Sequence, residues 1–223
     1  MNLLLSAVYL LITFFLTCLF YKKFGRVGLI AWMIMTSIVC NVQTVKTIEV
    51  LGFTSSLGNI AYGAIFLATD ILSEKYGENE AKKGIIISLL CQLIFMLLIF
   101  IVLQYNPSEF DTSDDAFHIV FNLLPRITIG SLVACFVSSM LDARLYSVLK
   151  RKSKRLWLRN NLSTMVSQTI DTAIFCMIAF LGAMPIAEVL EIAGSMLLFK
   201  LLIAVFDTRF IYAATKFKNV KEA

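Results

Sequence analysis

Residues 162–181 read LSTMVSQTIDTAIFCMIAFL, a run in which Asp171 is the one charged side chain. The run is long enough to cross a bilayer as a helix, which takes about 20 residues. A carboxylate near the middle of such a span is costly unless it faces protein, water or a partner charge. The stretch therefore predicts one helix of a membrane bundle, with Asp171 turned to the interior as a candidate functional residue.

The pattern around Asp171 also occurs earlier in the chain. Residues 138–146, SSMLDARLY, match residues 167–175, SQTIDTAIF, with Asp142 in the place of Asp171. An acid within a membrane-spanning helix is energetically costly. Its recurrence at the same place of a repeated pattern therefore indicates two helices that present acid groups to a shared interior.

The composition of the whole chain is that of an integral membrane protein. Its 223 residues are 59% hydrophobic and 16% charged, and the mean hydropathy is +0.82. Soluble domains carry about 25% charged residues. No connecting stretch is long enough for a further domain, so we predict an all-α polytopic membrane helix bundle that forms a single domain over residues 1–223.

The sequence offers no constellation for a metal, a cofactor or catalysis. Its five cysteines stand singly and its one histidine, His118, lies at a loop–helix junction, so we expect neither a metal site nor a cofactor. It has no phosphate-binding glycine loop and no nucleophile–base set, which argues against an enzyme. The net charge of +5 comes from basic residues between apolar runs, a topology signal that does not indicate nucleic-acid binding.

Seven apolar windows approach or exceed the length of a span. They cover residues 3–21, 27–45, 57–72, 84–103, 127–149, 162–181 and 189–214. When the loops are taken alternately, one side receives every basic residue except Lys46, Arg126, Lys200 and Arg209. The positive-inside rule then predicts seven spans, with the N-terminus outside and the C-terminus in the cytoplasm.

Polar residues recur at helical spacing within several windows. The stripe that leads to Asp171 consists of Asn160, Asn161, Thr164, Ser167 and Gln168. Similar stripes reach Asp142 in the fifth window and Asp70 and Glu74 in the third. Lys200 and Asp207 are seven residues apart and share a face of the last helix. We expect these faces to line a common polar interior.

Asp171 and Lys200 are both predicted near the midplane of a hydrocarbon core about 30 Å thick, from a rise of 1.5 Å per residue. One interpretation is a structural ion pair between two helices, and the other is a polar substrate chamber with Asp171 as a ligand. The polar stripe favours the chamber, because a buried ion pair is not needed for stability. Asp70 and Asp142 lie nearer the cytoplasmic surface, where a supporting or gating role fits as well as direct binding.

Three phrases carry a family resemblance: Asn41-Val-Gln43-Thr-Val-Lys46, Thr69-Asp70-Ile-Leu-Ser-Glu74-Lys-Tyr-Gly77, and Trp157-Leu-Arg159-Asn-Asn161-Leu-Ser163-Thr164 leading to Asp171. They resemble motifs of the queuosine precursor transporter family, over residues 27–218. The resemblance implies a bacterial inner-membrane protein that imports 7-deazaguanine bases with a cyano or aminomethyl group, or queuine, for salvage in tRNA modification. It also implies a six-helix core similar to the substrate-binding components of vitamin transporters.

The implied substrate suggests a role for each polar residue. A guanine-like edge presents an N–H and an exocyclic amine side by side, which a carboxylate accepts as a bidentate pair. We expect Asp171 or Asp70 to bind this edge, with a stacked aromatic ring, Lys200 in the same site, and Gln168, Asn41 or Gln43 at the carbonyl. Gating or supporting roles are expected for Ser167, Asn161, Thr164, Asp142, Glu74, Lys46, Arg126 and Asp207.

Two other functions stay open from the sequence. One is a substrate-binding component that needs an ATP-driven partner; that class resembles this chain but usually carries Ala-x-x-x-Ala in its first helix, where this chain has Ala7 and Leu11. The other is a structural membrane protein without transport. The expected partners are a small nucleobase and membrane lipids, with no nucleic acid, and assembly into a homo-oligomer stays open.

Overall fold

A computed structural model shows an all-α membrane helix bundle with one small β-hairpin, which confirms the predicted fold class. It describes residues 1–44, 46–50, 53–121, 125–182 and 185–217, with the backbone alone at 53–55 and 125–128. The elements are α1 (Asn2–Thr44), β1 (Thr47–Val50), β2 (Phe53–Ser56), α2 (Gly58–Lys75), α3 (Glu78–Val102), α4 (Asp114–Phe121), α5 (Pro125–Lys152), α6 (Leu156–Ala179) and α7 (Ile186–Thr215).

Helix α1 contains the first two predicted windows and folds back on itself at Gly25. The backbone of Gly25 has φ 58° and ψ −135°, a conformation that glycine adopts without steric cost. Trp32 Nε1 donates to Thr17 Oγ1 over 2.8 Å, and Tyr9 donates to Gln43 over 2.9 Å. The partners of each bond lie on opposite sides of Gly25 at similar distances along the chain, so the two arms of α1 are antiparallel.

Within the residues that the structure describes, five helices are long and apolar enough to cross a membrane, namely α1, α3, α6, α7 and the part Ile129–Lys152 of α5. Large apolar side chains lie exposed on α3, among them Leu93, Leu97 and Phe100, as expected of a helix that faces lipid. The chain is therefore a multi-pass membrane protein. The count of seven spans stays a prediction, because it treats the two arms of α1 as separate spans and includes α2, which has 18 residues.

The alternating directions of the long helices give the bundle two distinct ends. The end that carries β1, β2, α4 and the α6–α7 connection is called the hairpin end. The opposite end carries the turn at Gly25, the α2–α3 turn at Gly77, the α5–α6 connection and the last turn of α7, and it is called the basic end. Its exposed cations include Lys22, Lys23, Lys75, Lys83 and Lys154.

Helix α2 occupies the centre of the bundle. Every residue from Ala64 to Ser73 is buried, and α2 packs against α1, α3, α5 and α7. A Cβ atom at Gly63 would lie 2.5 Å from Cγ2 of Ile203, so the glycine allows α7 to approach closely. The central position of α2 explains how Asp70 comes to lie deep in the core.

Two elements near the hairpin end were not among the predicted segments. Strands β1 and β2 pair antiparallel, with Thr47 opposite Ser56 and Val50 opposite Phe53. The high content of β-branched residues in Thr47-Ile-Glu-Val50 is the signal that was available for a strand. Helix α4 lies within the acidic connection between α3 and α5.

Candidate functional site

The two matching phrases of the sequence meet on α5 and α6. Ser138 of α5 donates a hydrogen bond to Asp171 of α6 over 2.8 Å, and Ser167 of α6 donates one to Asp142 of α5 over 3.1 Å. The bonds are reciprocal because the helices are antiparallel and each serine precedes its own aspartate by four residues, about one helical turn. The repeated pattern therefore builds two serine–aspartate pairs at two levels of the bundle.

Asp171 is held by side chains from three other helices. Its Oδ1 accepts hydrogen bonds from Tyr62 of α2 at 2.7 Å and from Ser138 at 2.8 Å. Its Oδ2 forms a salt bridge with Nζ of Lys200 from α7, which also lies 5.2 Å from the centre of the Tyr62 ring. Asp171 and Lys200 are only 4% and 5% exposed, so the predicted pairing at one depth is present in the structure as a buried ion pair.

A cavity of about 310 Å³ opens above this ion pair towards the hairpin end. Asp171, Lys200 and Tyr62 form part of its wall, and Thr47 and Ser56 lie at its outer side. Its other polar lining residues are Ser37, Asn41, Thr44, Asn59, Gln92 and Ser131, and its aromatic ones include Phe175 and Phe180. The volume lies at the lower end of the range of about 300–1,000 Å³ found for small-molecule sites.

Gln92 of α3 is a lining residue that the sequence analysis missed. It is 3% exposed, and its Oε1 accepts a hydrogen bond from Ser37 of α1. Within the part of the chain that the structure describes, its amide nitrogen makes no side-chain hydrogen bond, so it is available to a molecule in the cavity. The same rule that singled out Asp171, a polar group inside an apolar span, would have identified Gln92.

The other residues expected at the substrate occupy different places. Asn41 lines the cavity, and its amide nitrogen donates to Ser37 O over 3.2 Å, which leaves its oxygen for a ligand. Gln43 accepts a bond from Tyr9 and does not line the cavity. Gln168 is a buried residue of α6 that does not line the cavity, and Lys46 is exposed at the hairpin end.

Asp70 lies on the basic-end side of the ion pair, together with Asp142 and Asp207. These carboxyl groups are at most 1% exposed and do not line the cavity. Thr164 donates to Asp70 over 3.4 Å, and Asn160 donates to Asp207 over 2.6 Å. We call Asp70, Asp142 and Asp207 the inner carboxyl cluster.

A charged network closes the bundle at the basic end. Arg159 donates to Glu74 over 2.5 Å, Tyr146 donates to the same carboxylate over 3.1 Å, and Lys150 lies 3.5 Å from it. We had counted Arg159 among loop cations, but it lies in the first turn of α6 and is 8% exposed, so that assignment was wrong. The network joins α2, α5 and α6.

Two further residues of the predicted set lie near the ends of helices. Asn161 bridges α6 and α7 through a bond of 2.7 Å to Thr208. Arg126 lies in the first turn of α5, but its side chain falls outside the described residues. Among the residues that are described, no group of three or more His, Cys, Asp or Glu side chains is arranged to hold a metal ion.

The arrangement supports recognition of a polar planar molecule. The cavity wall presents an anion beside a cation, amides at Asn41 and Gln92, and rings at Phe175 and Phe180. Hydrogen bonds in such low-dielectric surroundings are strong, and a ligand that leaves one of these groups unpaired is rejected. The charged pair of Asp171 and Lys200 lies at the floor of this cavity.

Comparison with known proteins connects this chain to a family of transporters. A family model described as "Putative vitamin uptake transporter" matches residues 56–214. A Bacillus subtilis (strain 168) protein named "Probable queuosine precursor transporter" is 41% identical over 209 residues, 92% of this chain and 91% of that protein. The "Queuosine precursor transporter" of Escherichia coli (strain K12) is 29% identical over 161 residues, 72% of this chain and 70% of that protein. No solved structure matches the chain.

The matches confirm the resemblance drawn from the three sequence phrases. The stretch matched by the family model contains Asp70, Asp142, Asp171 and Lys200. The relatives are named as transporters, which agrees with the prediction that this chain is not an enzyme. The chain belongs to the queuosine precursor transporter family.

Proposed function

We propose that this protein imports queuosine precursors, 7-deazaguanine bases, across the bacterial inner membrane for salvage in tRNA modification. The observation that carries the proposal is the buried pair of Asp171 and Lys200 in the wall of a cavity. The names of the relatives supply the substrate class. The chain is the carrier, and its substrate is a small uncharged or singly charged base.

The charged pair is complementary to the hydrogen-bonding edge of a guanine. Such an edge carries a carbonyl acceptor next to two N–H donors. Lys200 would donate to the carbonyl, while Asp171 would accept from the ring N–H and the exocyclic amine. Asn41 and Gln92 would meet the remaining heteroatoms, and Phe175 or Phe180 would stack on the rings, a contact worth about 1–3 kcal/mol per base.

We propose that Asp171, and not Asp70, accepts the hydrogen bonds from the ring N–H and the exocyclic amine of the substrate. Both were predicted from the sequence, but Asp171 lines the cavity and Asp70 lies in the inner carboxyl cluster. Gln168 and Gln43 do not line the cavity either, so we propose that they support neighbouring side chains. Ser167 and Thr164 would hold Asp142 and Asp70 in the same supporting way.

The distribution of basic residues supports an orientation with the hairpin end outside. The cavity would then open to the exterior, and the C-terminus would lie in the cytoplasm. The network of Glu74 and Arg159 would close the cytoplasmic side in this state. Asn161 and Asp207 would tie α6 to α7 below the site, and Lys46 and Arg126 would act near the outer entrance.

Transport by this chain alone is the test of the proposal. Purified protein in liposomes should exchange labelled 7-cyano- or 7-aminomethyl-7-deazaguanine, and the same bases should raise its melting temperature. Asp171→Asn replaces an acceptor by an amide whose N–H groups oppose the donors of the substrate. Because a hydrogen bond to a charged group is worth about 1.5–3 kcal/mol, we expect binding to weaken by about 10- to 100-fold.

Asp115→Asn is the matched control, since Asp115 is exposed near the hairpin end. This variant should bind and exchange as the unmodified protein does. Normal exchange by Asp171→Asn would overturn the assignment of the site. Exchange that appears only after an ATPase partner is added would favour the ATP-driven alternative, and none under any condition would favour a structural role.

A further inference from the structure

The inner carboxyl cluster places three acids in the core of the bundle. Asp70, Asp142 and Asp207 come from α2, α5 and α7, and they are 0%, 0% and 1% exposed. Among the described residues, none of the three forms a salt bridge. Three carboxylates that were all ionised at such positions would each carry a large desolvation cost.

The hydrogen bonds of the cluster are incomplete in one specific way. Asp70 Oδ2 accepts from Thr164 and Asp142 Oδ1 accepts from Ser167. Their second oxygens, Asp70 Oδ1 and Asp142 Oδ2, have no partner among the described residues, and neither has Oδ1 of Asn160, whose amide nitrogen points at Asp207. What these buried acceptors lack is a donor hydrogen.

A proton supplies that hydrogen at the place where two of the acids meet. The carboxyl groups of Asp70 and Asp142 lie within hydrogen-bonding reach of each other. Two ionised carboxylates cannot share such a position, but one proton between them makes one group a donor and the other an acceptor.

The other ionisable groups around Asp70 and Asp142 are acids, a phenol and a cation that is already bonded to Glu74. Asp207 faces this pair from α7, and Tyr146 lies one turn beyond Asp142 on α5. Arg159 of α6, the nearest cation of that helix, is bonded to Glu74 of α2. The buried core residues of α1 include Cys18, Tyr21, Leu29 and Met33, and those of α3 include Ala81 and Ile85.

We propose that Asp70 and Asp142 form a proton-binding site that couples substrate import to proton entry. The proposal rests on the proposed transport function and adds its energy source. A proton would enter through the cavity, bind between the two carboxyl groups, and leave to water at the basic end in the same cycle that releases the substrate. The chemistry is proton transfer between carboxylate oxygens and water, so no other reactant is needed.

Helix α2 provides the mechanical connection between this proton and the substrate. It carries Tyr62 at the substrate cavity, Asp70 in the cluster and Glu74 at the network that closes the basic end. With a proton bound, Asp70 and Asp142 hold α2 against α5. Substrate binding overcomes this hold, so the carrier that has both substrate and proton bound opens at either end. The empty carrier does so only after the proton leaves, because two like charges in low dielectric then favour the separation of these helices.

The test uses liposomes that contain the purified protein and a trapped pH-sensitive dye. Addition of 7-aminomethyl- or 7-cyano-7-deazaguanine outside should acidify the interior, and an inward proton gradient should raise substrate accumulation several-fold. Asp142→Asn keeps the shape of the side chain but cannot be deprotonated. It should still exchange external for internal substrate within about twofold, because exchange needs no net proton movement, while the acidification is lost.

The controls separate this proposal from the transport function. Asp115→Asn should retain both exchange and acidification. Exchange without acidification in the unmodified protein, or acidification by Asp142→Asn, would overturn proton coupling and leave transport intact. Absence of exchange in the unmodified protein would instead overturn the transport function. If Asp142→Asn does not give a monodisperse protein, Asp70→Asn tests the same pair with the same expected outcome.

Discussion

Asp171 and Asp142 occupy the same place in two copies of one sequence pattern, and each accepts a hydrogen bond from the serine of the other copy. Their wider surroundings differ. Asp171 meets a cation and a phenol at a cavity, whereas Asp142 faces another carboxyl group in the closed core. The local pattern therefore places an acid, and the partners from other helices decide what the acid can do.

Helix α7 supplies much of this difference. It presents Lys200 at the level of Asp171 and Asp207 at the level of Asp142. Seven residues separate Lys200 and Asp207, so they share one face and lie about 10 Å apart along the axis. A single helix face thus gives a positive neighbour to one aspartate and a negative neighbour to the other.

Among variants that change the different surroundings of Asp171 and Asp142, we expect the largest effect from Lys200→Met. It removes the cation and leaves Asp171 as an uncompensated buried charge, which costs about 3–5 kcal/mol when a buried pair is broken. We expect a marked fall in the unfolding free energy in detergent, together with loss of substrate binding. Thermal unfolding and substrate-induced stabilisation measure the two effects.

The double variant Lys200→Met with Asp171→Asn should recover most of the stability, because no charge is left unpaired, but should not recover binding. Lys23→Met is the control, since Lys23 is exposed at the basic end. A Lys200→Met protein as stable as the original would show that the ion pair is not a determinant of the fold.

A smaller effect is expected from Tyr62→Phe, which removes a donor present at Asp171 and absent at Asp142. The hydroxyl lies 2.7 Å from the carboxylate, and a bond to a charged group contributes about 1.5–3 kcal/mol. Isothermal titration should show weaker substrate binding. The rate of exchange at saturating substrate should change little. Tyr105→Phe, at a residue that is 74% exposed, should leave the affinity unchanged; an equal loss in both variants would contradict the role of Tyr62.

Much of the fold was predictable because a long apolar run in a sequence indicates a membrane helix. The windows around Asp142, Asp171 and Lys200 correspond to α5, α6 and α7. The depth argument that placed Asp171 level with Lys200 agrees with their salt bridge. Both inferences use only the rise per residue of a helix and the cost of a charge in lipid.

The partners across helices could not be predicted in the same way. A polar stripe shows which face of a helix is turned inward, but not which inward faces meet. The bond between Ser37 and Gln92, the phenol of Tyr62 at Asp171 and the burial of Arg159 depend on the packing of α1, α2 and α3 around the α5–α6 pair. The β-hairpin was missed for a different reason, because its strands have only four residues each.

The smallest and sharpest test compares Ser138→Ala with Ser167→Ala. Each variant removes one of the two reciprocal hydrogen bonds between α5 and α6. If both bonds had only a structural role, the two variants would lose the same unfolding free energy. Hydrogen bonds between membrane helices contribute about 0.6 kcal/mol on average and up to about 1.7 kcal/mol. We expect the upper value for Ser138→Ala, because Asp171 is charged, and the average for Ser167→Ala, because Asp142 shares a proton with Asp70.

Unfolding free energies in a detergent titration measure this difference, with Ser195→Ala as the control. The Ser195 hydroxyl donates to Ile192 O within α7, so its loss should have little effect on helix packing. Raising the pH should bring the two variants together if Asp142 loses its proton, since both serines would then donate to a charged acceptor. Equal values for the two variants at every pH would mean that Asp142 and Asp171 have the same charge, and the distinction between a substrate acid and a proton acid would fail.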